Sequence, residues 1–133
     1  MLKGEEFLEG PLPKDCPPES AYNPKEEVFL RFVKEIPPLM NDFHSYFKIK
    51  GDKPPDVSLC QAKSVSLFKT IKSYHKLKKL PKFKKSIMII ITLPEFSGKV
   101  SKTGQDHFSW WIYKEFDPIT QSNYTEYEVE KGN

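Results

Sequence analysis

The chain has 133 residues, of which 38% are hydrophobic and 14% aromatic, and it carries a formal net charge of +3. This length suits one domain with its own hydrophobic core, and the aromatic content argues against a disordered chain. The longest apolar run, residues 87–93, is far shorter than the roughly 20 residues that a membrane helix needs, so we expect no membrane partner.

The N-terminal residues and the two cysteines bear on the cellular location. The segment MLKGEEFLEG carries acids where a signal peptide needs a basic and then an apolar stretch. Cys16 and Cys60 show no CxxC spacing, and without secretory signals reduced thiols are the expectation. We therefore predict a cytoplasmic protein in which Cys60 is a small buried residue rather than a nucleophile.

Prolines and turn-forming residues dominate the N-terminal segment, which includes GPLPKDCPPES. Such a density is incompatible with a helix or a central strand. We predict an extended arm over residues 1–25, docked through its apolar side chains on a single domain that spans residues 26–133.

The first strand is expected over residues 27–34 (EVFLRFVK), which are rich in β-branched and aromatic residues and are followed by two prolines. Alternation places Arg31 on one face between Phe29 and Val33. A buried guanidinium needs a partner or a ligand. The alternative is an edge strand from which Arg31 reaches water.

Two helices are expected after this strand. Asn41 or Asp42 can cap a short helix over NDFHSYFKI. A second helix is predicted over residues 67–80, capped by Ser64 or Ser66.

The C-terminal half of the sequence predicts further strands. Residues 86–93 predict a central strand covered on both faces, because apolar residues occupy successive positions. Two glycines flank residues 99–103 and suggest a short hairpin arm or a turn, and residues 107–113 alternate as in a strand. The element order indicates an α+β domain in which a small, mostly antiparallel sheet packs with two short helices.

The last of these strands carries the strongest candidate for a small-molecule site. One face presents His107, Ser109, Trp111 and Tyr113. The indole can stack on a planar ligand while the polar groups supply hydrogen bonds. The alternative is an ordinary half-exposed strand face, or aromatic side chains held between sheet and helix. No metal site is expected, because the three histidines lack ligand spacing, and the sequence contains no phosphate loop and no hydrolase elbow.

A basic segment suggests a different kind of site. Residues 69–85 hold eight lysines and no acid, whereas residues 1–30 hold seven acids against three lysines. Such a segment can neutralise phosphates, with Tyr74 and Phe83 as stacking groups, or can meet an acidic protein. The alternative is a solvated helix face. The residues predicted to contact the anionic partner are Lys72, Lys76, Lys78, Lys79, Lys82, Lys84 and Lys85.

Short motifs along two thirds of the chain resemble those of a family of small, mostly uncharacterised bacterial proteins. They are FLRFVK, PPLMNDFHSY, CQAKSVSLF, KLPKFKK, and HFSWW followed by EFDP. The resemblance implies a bacterial origin and one compact domain, and it supplies no mechanism. Together with the lysine-rich segment, it favours an accessory or partner-regulating binding module that needs no cofactor.

A second group of residues is similar to ADP-ribosyltransferase-like domains, which grip NAD. An arginine on the first core strand is followed by a hydroxyl-rich segment, SVS. The resemblance implies that Arg31 holds a phosphate or a ribose, and that Ser64 and Ser66 lie at the second motif. It further implies that His107 faces the ribose, whereas the family's glutamate has no clear counterpart other than Glu115. The alternative function is therefore an NAD-using enzyme or toxin.

Overall fold

The computed structural model describes residues 6–128, which form a six-stranded antiparallel sheet with four short α-helices and confirm the predicted α+β class. The ends of the predicted arm and domain, residues 1–5 and 129–133, lie outside the described range. The strands are β1 (Glu27–Val33), β2 (Val65–Phe68), β3 (Ile87–Leu93), β4 (Gly98–Lys102), β5 (His107–Ile112) and β6 (Asn123–Glu126). The helices are α1 (Tyr46–Lys50), α2 (Leu59–Ala62), α3 (Lys72–Leu77) and α4 (Pro118–Gln121). Across the sheet the strands lie in the order β4-β5-β2-β1-β3-β6.

Apolar side chains are buried on both faces of the sheet. On one face, alternate residues such as Phe29 and Ile89 form the larger core, which Phe43 joins from outside the sheet. On the other face, Phe32 and Met88 belong to a smaller core that is covered by α3 and the turn after it. This division matters for function, because it decides which side chains of a strand can act together.

The strands β1, β3 and β5 lie within the ranges predicted from the sequence. Since β1 lies between β2 and β3, the alternative in which it is an edge strand is wrong. In β3, Ile89 is buried on one face and Met88 on the other, as the run of successive apolar residues predicts. The glycine-flanked segment forms β4, which pairs with β5 as a hairpin.

The helix predicted over residues 67–80 is wrong in its first part. Residues 65–68 form β2, which pairs with β5. Val65 and Leu67 lie in the larger core, whereas the half-buried Ser66 points to the other face. The apolar period here is therefore two rather than 3.6, and only α3, later in the range, is helical.

The helix predicted over NDFHSYFKI is interrupted. Residues Met40–Phe43 form a 3-10 turn, and α1 begins only after Ser45. The backbone N–H of Lys48 donates a hydrogen bond to the Ser45 hydroxyl (3.1 Å), and Ser45 itself has an extended backbone. The cap of α1 is thus Ser45 and not Asn41 or Asp42.

The prediction of reduced thiols is wrong, because Cys16 and Cys60 form a disulfide with their Cα atoms 5.6 Å apart. The arm runs back over the sheet, where Phe7 forms an isolated backbone pair with Tyr113, directly after β5, and Tyr22 forms one with Val100 of β4. This path carries Cys16 to Cys60, which lies on α2. The spacing of the cysteines along the chain could not show the bond, because the path of the arm decides which thiols meet.

Candidate functional site

The lysine-rich segment packs on the sheet through its apolar side chains and leaves most of its lysines in solvent. Tyr74, Leu77 and Phe83 contact the smaller core. Six exposed lysines of the segment form no ion pair within residues 6–128, and we call this group the lysine face: Lys72, Lys76, Lys79, Lys82, Lys84 and Lys85.

The other two lysines of the segment are engaged by groups of the same chain. The ammonium group of Lys78, which the sequence assigned to the partner, donates a hydrogen bond to the carbonyl of Ser86. Lys69 pairs with Glu27 at 2.9 Å and lies over the ring of Phe29, 4.2 Å from its centroid. Neither of them belongs to the lysine face.

The lysine face is not neutralised by the part of the chain that the structure describes. Within residues 6–128, the ion pairs with an N–O distance of 4.0 Å or less are Lys69–Glu27 and Lys114–Glu6. Like charges that lack internal partners create a positive potential at the surface and attract external anions. The six lysines are therefore available to a partner.

Asp106 fixes the start of the lysine-rich segment. Its carboxylate accepts hydrogen bonds from the backbone N–H groups of Lys69 (3.1 Å) and Thr70 (2.7 Å) and from the hydroxyl of Ser73 (2.7 Å). Partial burial pushes the pKa of Asp106 up, but the hydrogen bonds from Ser73 and Thr70 outweigh this and hold it below its usual range. The ionised carboxylate thus ties the segment to the hairpin of β4 and β5.

On the face of the smaller core, His107 connects several hydroxyl groups. Its Nε2 atom lies 2.8 Å from Ser66 Oγ, and its Nδ1 atom lies 2.6 Å from Thr103 Oγ1. Thr103 Oγ1 is in turn 3.0 Å from Ser109 Oγ. Burial lowers the pKa of His107, although the nearby Asp106 carboxylate opposes this. The imidazole is therefore neutral at pH 7 and can accept a proton.

Arg31 lies on the opposite face of the sheet. Its guanidinium group packs over the ring of Phe43 in the larger core, 5.6 Å from the centroid. It donates hydrogen bonds to the carbonyls of Ser66 (2.5 Å) and Asp42 (2.6 and 3.2 Å). Burial lowers the pKa of Arg31 to about 10, against an opposing effect of Asp42. Carbonyl oxygens of the chain thus occupy three of the five N–H groups of the side chain.

The other side chains predicted for a ligand pocket are engaged within the protein. The Ser64 hydroxyl donates to the carbonyl of Gln61 (2.7 Å), and the Trp111 indole N–H donates to the carbonyl of Cys60 (2.9 Å). The Tyr113 hydroxyl accepts a hydrogen bond from an asparagine of the arm (2.9 Å). Trp111 is only 2% exposed, so its ring has no free face on which a ligand could stack.

Of the residues predicted for a pocket, the structure brings Ser66, His107 and Ser109 together in one hydrogen-bonded group. Sequence reasoning missed Thr103 and Asp106. Both carry a signal in hindsight, because Thr103 faces His107 across a glycine-containing turn and Asp106 directly precedes it.

Two kinds of site are not found in residues 6–128. No three histidine, cysteine or acidic side chains in this range lie close enough together to hold a metal ion. None of the helices in this range has the length and apolar character that a membrane crossing needs.

A scan of the chain against models of protein families finds no match, and searches of curated proteins and of solved structures find none either. The two resemblances noted in the sequence therefore stay proposals.

Proposed function

We propose that the chain is an accessory or partner-regulating binding module whose lysine face engages an anionic partner. The observation that carries this proposal is the exposure of six lysines without an ion pair to any carboxylate of residues 6–128. Their six charges exceed the net charge of +3 of the whole chain, and residues 69–85 themselves contain no acid. Such a concentration of charge steers an anionic partner toward one side of the molecule.

A partner with many negative charges fits this surface better than a small anion. The lysines extend from Lys72 in α3 to Lys85 beyond the following 3-10 turn, so one phosphate cannot reach them all. A polyanion, either a nucleic acid or an acidic protein, can neutralise several at once and release their counterions. Lys82 also lies near the rings of Phe83 (5.4 Å) and Tyr46 (5.8 Å), where a base could stack.

Charge reversal tests the proposal. A variant with Lys76→Glu, Lys79→Glu and Lys84→Glu should bind a fluorescently labelled polyanion at least about tenfold more weakly than the wild type, because each lost lysine removes one phosphate contact. Fluorescence anisotropy at a fixed ionic strength measures the affinity.

The matched control reverses three exposed lysines outside the basic segment, and it carries the same net charge as the test variant. The control substitutions are Lys14→Glu, Lys25→Glu and Lys53→Glu. We expect this control to lose much less affinity. Equal losses in the two variants would show that net charge, and not the lysine face, governs binding.

We keep a nucleotide-using enzyme as the second candidate, because His107 lies within hydrogen-bond distance of Ser66. A neutral imidazole beside a hydroxyl group is an arrangement in which a proton can be transferred. NAD is the cofactor that the similarity to ADP-ribosyltransferase-like domains implies. Calorimetric titration with NAD should then give a saturable heat that His107→Ala abolishes, and the absence of heat with the wild type would exclude this candidate.

The disulfide bears on the cellular location. Disulfides persist in oxidising compartments and are rare in the cytosol. The bond between Cys16 and Cys60 therefore speaks against the cytoplasmic location that the sequence suggested. Alkylation of the unreduced protein directly from its native cells decides between the two, because free thiols would favour the cytoplasm.

A further inference from the structure

A cleft of about 670 Å³ opens beside the lysine-rich segment. It is lined by Tyr74 and Lys78 of the lysine-rich segment, by Tyr127, which follows β6, and by Ile87 and Met88 of β3. The volume lies within the range of small-molecule sites.

The two tyrosines that line the cleft pack on each other and are held in place by the fold. Their ring centroids are 5.8 Å apart, with the ring planes inclined at 49°. Tyr74 stacks on the buried Phe32 at 6.0 Å and an angle of 19°. The backbone N–H of Tyr127 donates a hydrogen bond to the carbonyl of Met88 (2.8 Å). Rings that are already positioned lose little entropy when a planar ligand stacks on them.

The polar groups of the cleft select against phosphate and in favour of a hydrogen-bond donor. The carboxylate-bearing residues Glu126 and Glu128 line it, whereas the ammonium group of Lys78 is engaged by the Ser86 carbonyl. A carboxylate repels phosphate but accepts hydrogen bonds from the exocyclic amino group of a base such as cytosine. The cleft is therefore suited to a base, and the neighbouring lysine face to the phosphates.

We propose that the cleft takes one base of a single-stranded nucleic acid whose backbone lies along the lysine face. This inference rests on the proposed function and narrows its partner, because an acidic protein would place like charges against Glu126 and Glu128. Stacking of a base on the Tyr127 ring depends little on which base it is, whereas the carboxylates favour bases with an amino group, such as cytosine, over thymine.

The test compares oligonucleotides of about 12 residues, either all cytidine or all thymidine, by fluorescence anisotropy with the full chain. Tyr127→Ala should weaken binding of the cytidine oligonucleotide about tenfold, because one stacked base is lost. The control Phe96→Ala removes an exposed aromatic ring (56%) that lies outside the cleft and should leave the affinity unchanged. A Tyr127→Ala variant that binds like the Phe96→Ala control would overturn the inference.

A milder variant covers the possibility that loss of a ring disturbs the fold. Glu126→Ala combined with Glu128→Ala, at two exposed positions, should abolish the preference for cytidine over thymidine and leave thymidine affinity as high or higher. An unchanged preference would count against the carboxylates' role in the cleft.

Failure of the inference can be told from failure of the proposed function. If lysine reversal abolishes binding but the wild type binds both oligonucleotides and heparin alike, the lysine face stands and the base site falls. If lysine reversal has no effect, the proposed function falls. Binding of cytidine monophosphate as tight as that of the oligonucleotide would assign the cleft to a free nucleotide and overturn the choice of a single-stranded polymer.

Discussion

Arg31 shows how the interior of the sheet holds a cation through carbonyl oxygens. Its guanidinium group donates to the carbonyls of Ser66 and Asp42, at a place where β1 and β2 share only one ladder position. The carboxylate of Asp42 accepts two backbone N–H groups of the loop after β1. The side chain thus links two strands and a loop, which gives a structural reason for an arginine in an apolar strand.

His107 should make the stability of the protein depend on pH in the mildly acidic range. Burial lowers its pKa in the folded protein, whereas the unfolded chain keeps the ordinary value near 6.5. As the pH falls below that value, the unfolded chain takes up the proton first. The stabilisation that is present above about pH 6.5 is therefore lost as the pH falls through the folded-state pKa. We expect the melting temperature to fall over this range, and the variant His107→Gln to lack this part of the decline.

Proton NMR of the His107 ring measures the same property directly. The signal of its Cε1–H should titrate with a midpoint below 6.5. A midpoint at or above that value would mean that the imidazole is solvated or paired with a carboxylate, and the neutral, hydroxyl-bound ring described above would be wrong.

The disulfide fastens the N-terminal arm to α2, and its removal tests how much this element contributes. The double variant Cys16→Ser, Cys60→Ser should have a free energy of unfolding lower by about 2–4 kcal/mol, because the bond constrains the unfolded chain. The two cysteines are 44 positions apart in the sequence, so the closed loop is long. Urea denaturation of the variant and of the oxidised wild type gives the difference, and coincident midpoints would contradict it.

The strand β2 shows where local sequence patterns stop being sufficient. Its four residues are too few to separate a period of two from a period of 3.6, and Ser64 and Ser66 also fit a helix cap. The choice is made by pairing with β5, which brings together Ser66 and His107 from positions 41 residues apart. If residues 67–80 are taken as a helix, the hydrogen bond between Ser66 and His107 cannot be predicted. Each residue can still be named separately as a candidate site residue.

Features confined to one segment were predictable, and features that join segments were not. Successive apolar residues predict β3, alternation predicts β5, and the run of lysines predicts the basic surface. The disulfide depends on the path of the arm, and the cleft depends on how α3 packs beside the end of β6. The hydrogen bond of the Lys78 ammonium group also joins two segments, because its acceptor is the carbonyl of Ser86, just before β3.

The molecule as a whole separates its charges. The lysine face occupies α3 and the turn after it, while Glu126 and Glu128 line the end of β6 and the cleft. The proposed anionic partner would meet the lysines as a group and the carboxylates at one border. We expect electrostatics to orient it before close contacts form.

The measurement that tests the central claim most directly is the salt dependence of the affinity for a single-stranded oligonucleotide. Anisotropy titrations between about 0.05 and 0.3 M salt should give a plot of log affinity against log salt with a slope of about −4 or steeper, since each neutralised phosphate contributes roughly −0.7 on a single strand. The variant with three reversed lysines should give a clearly shallower slope. A slope near zero, or one that the three reversals leave unchanged, would contradict the assignment of the lysine face as the binding surface.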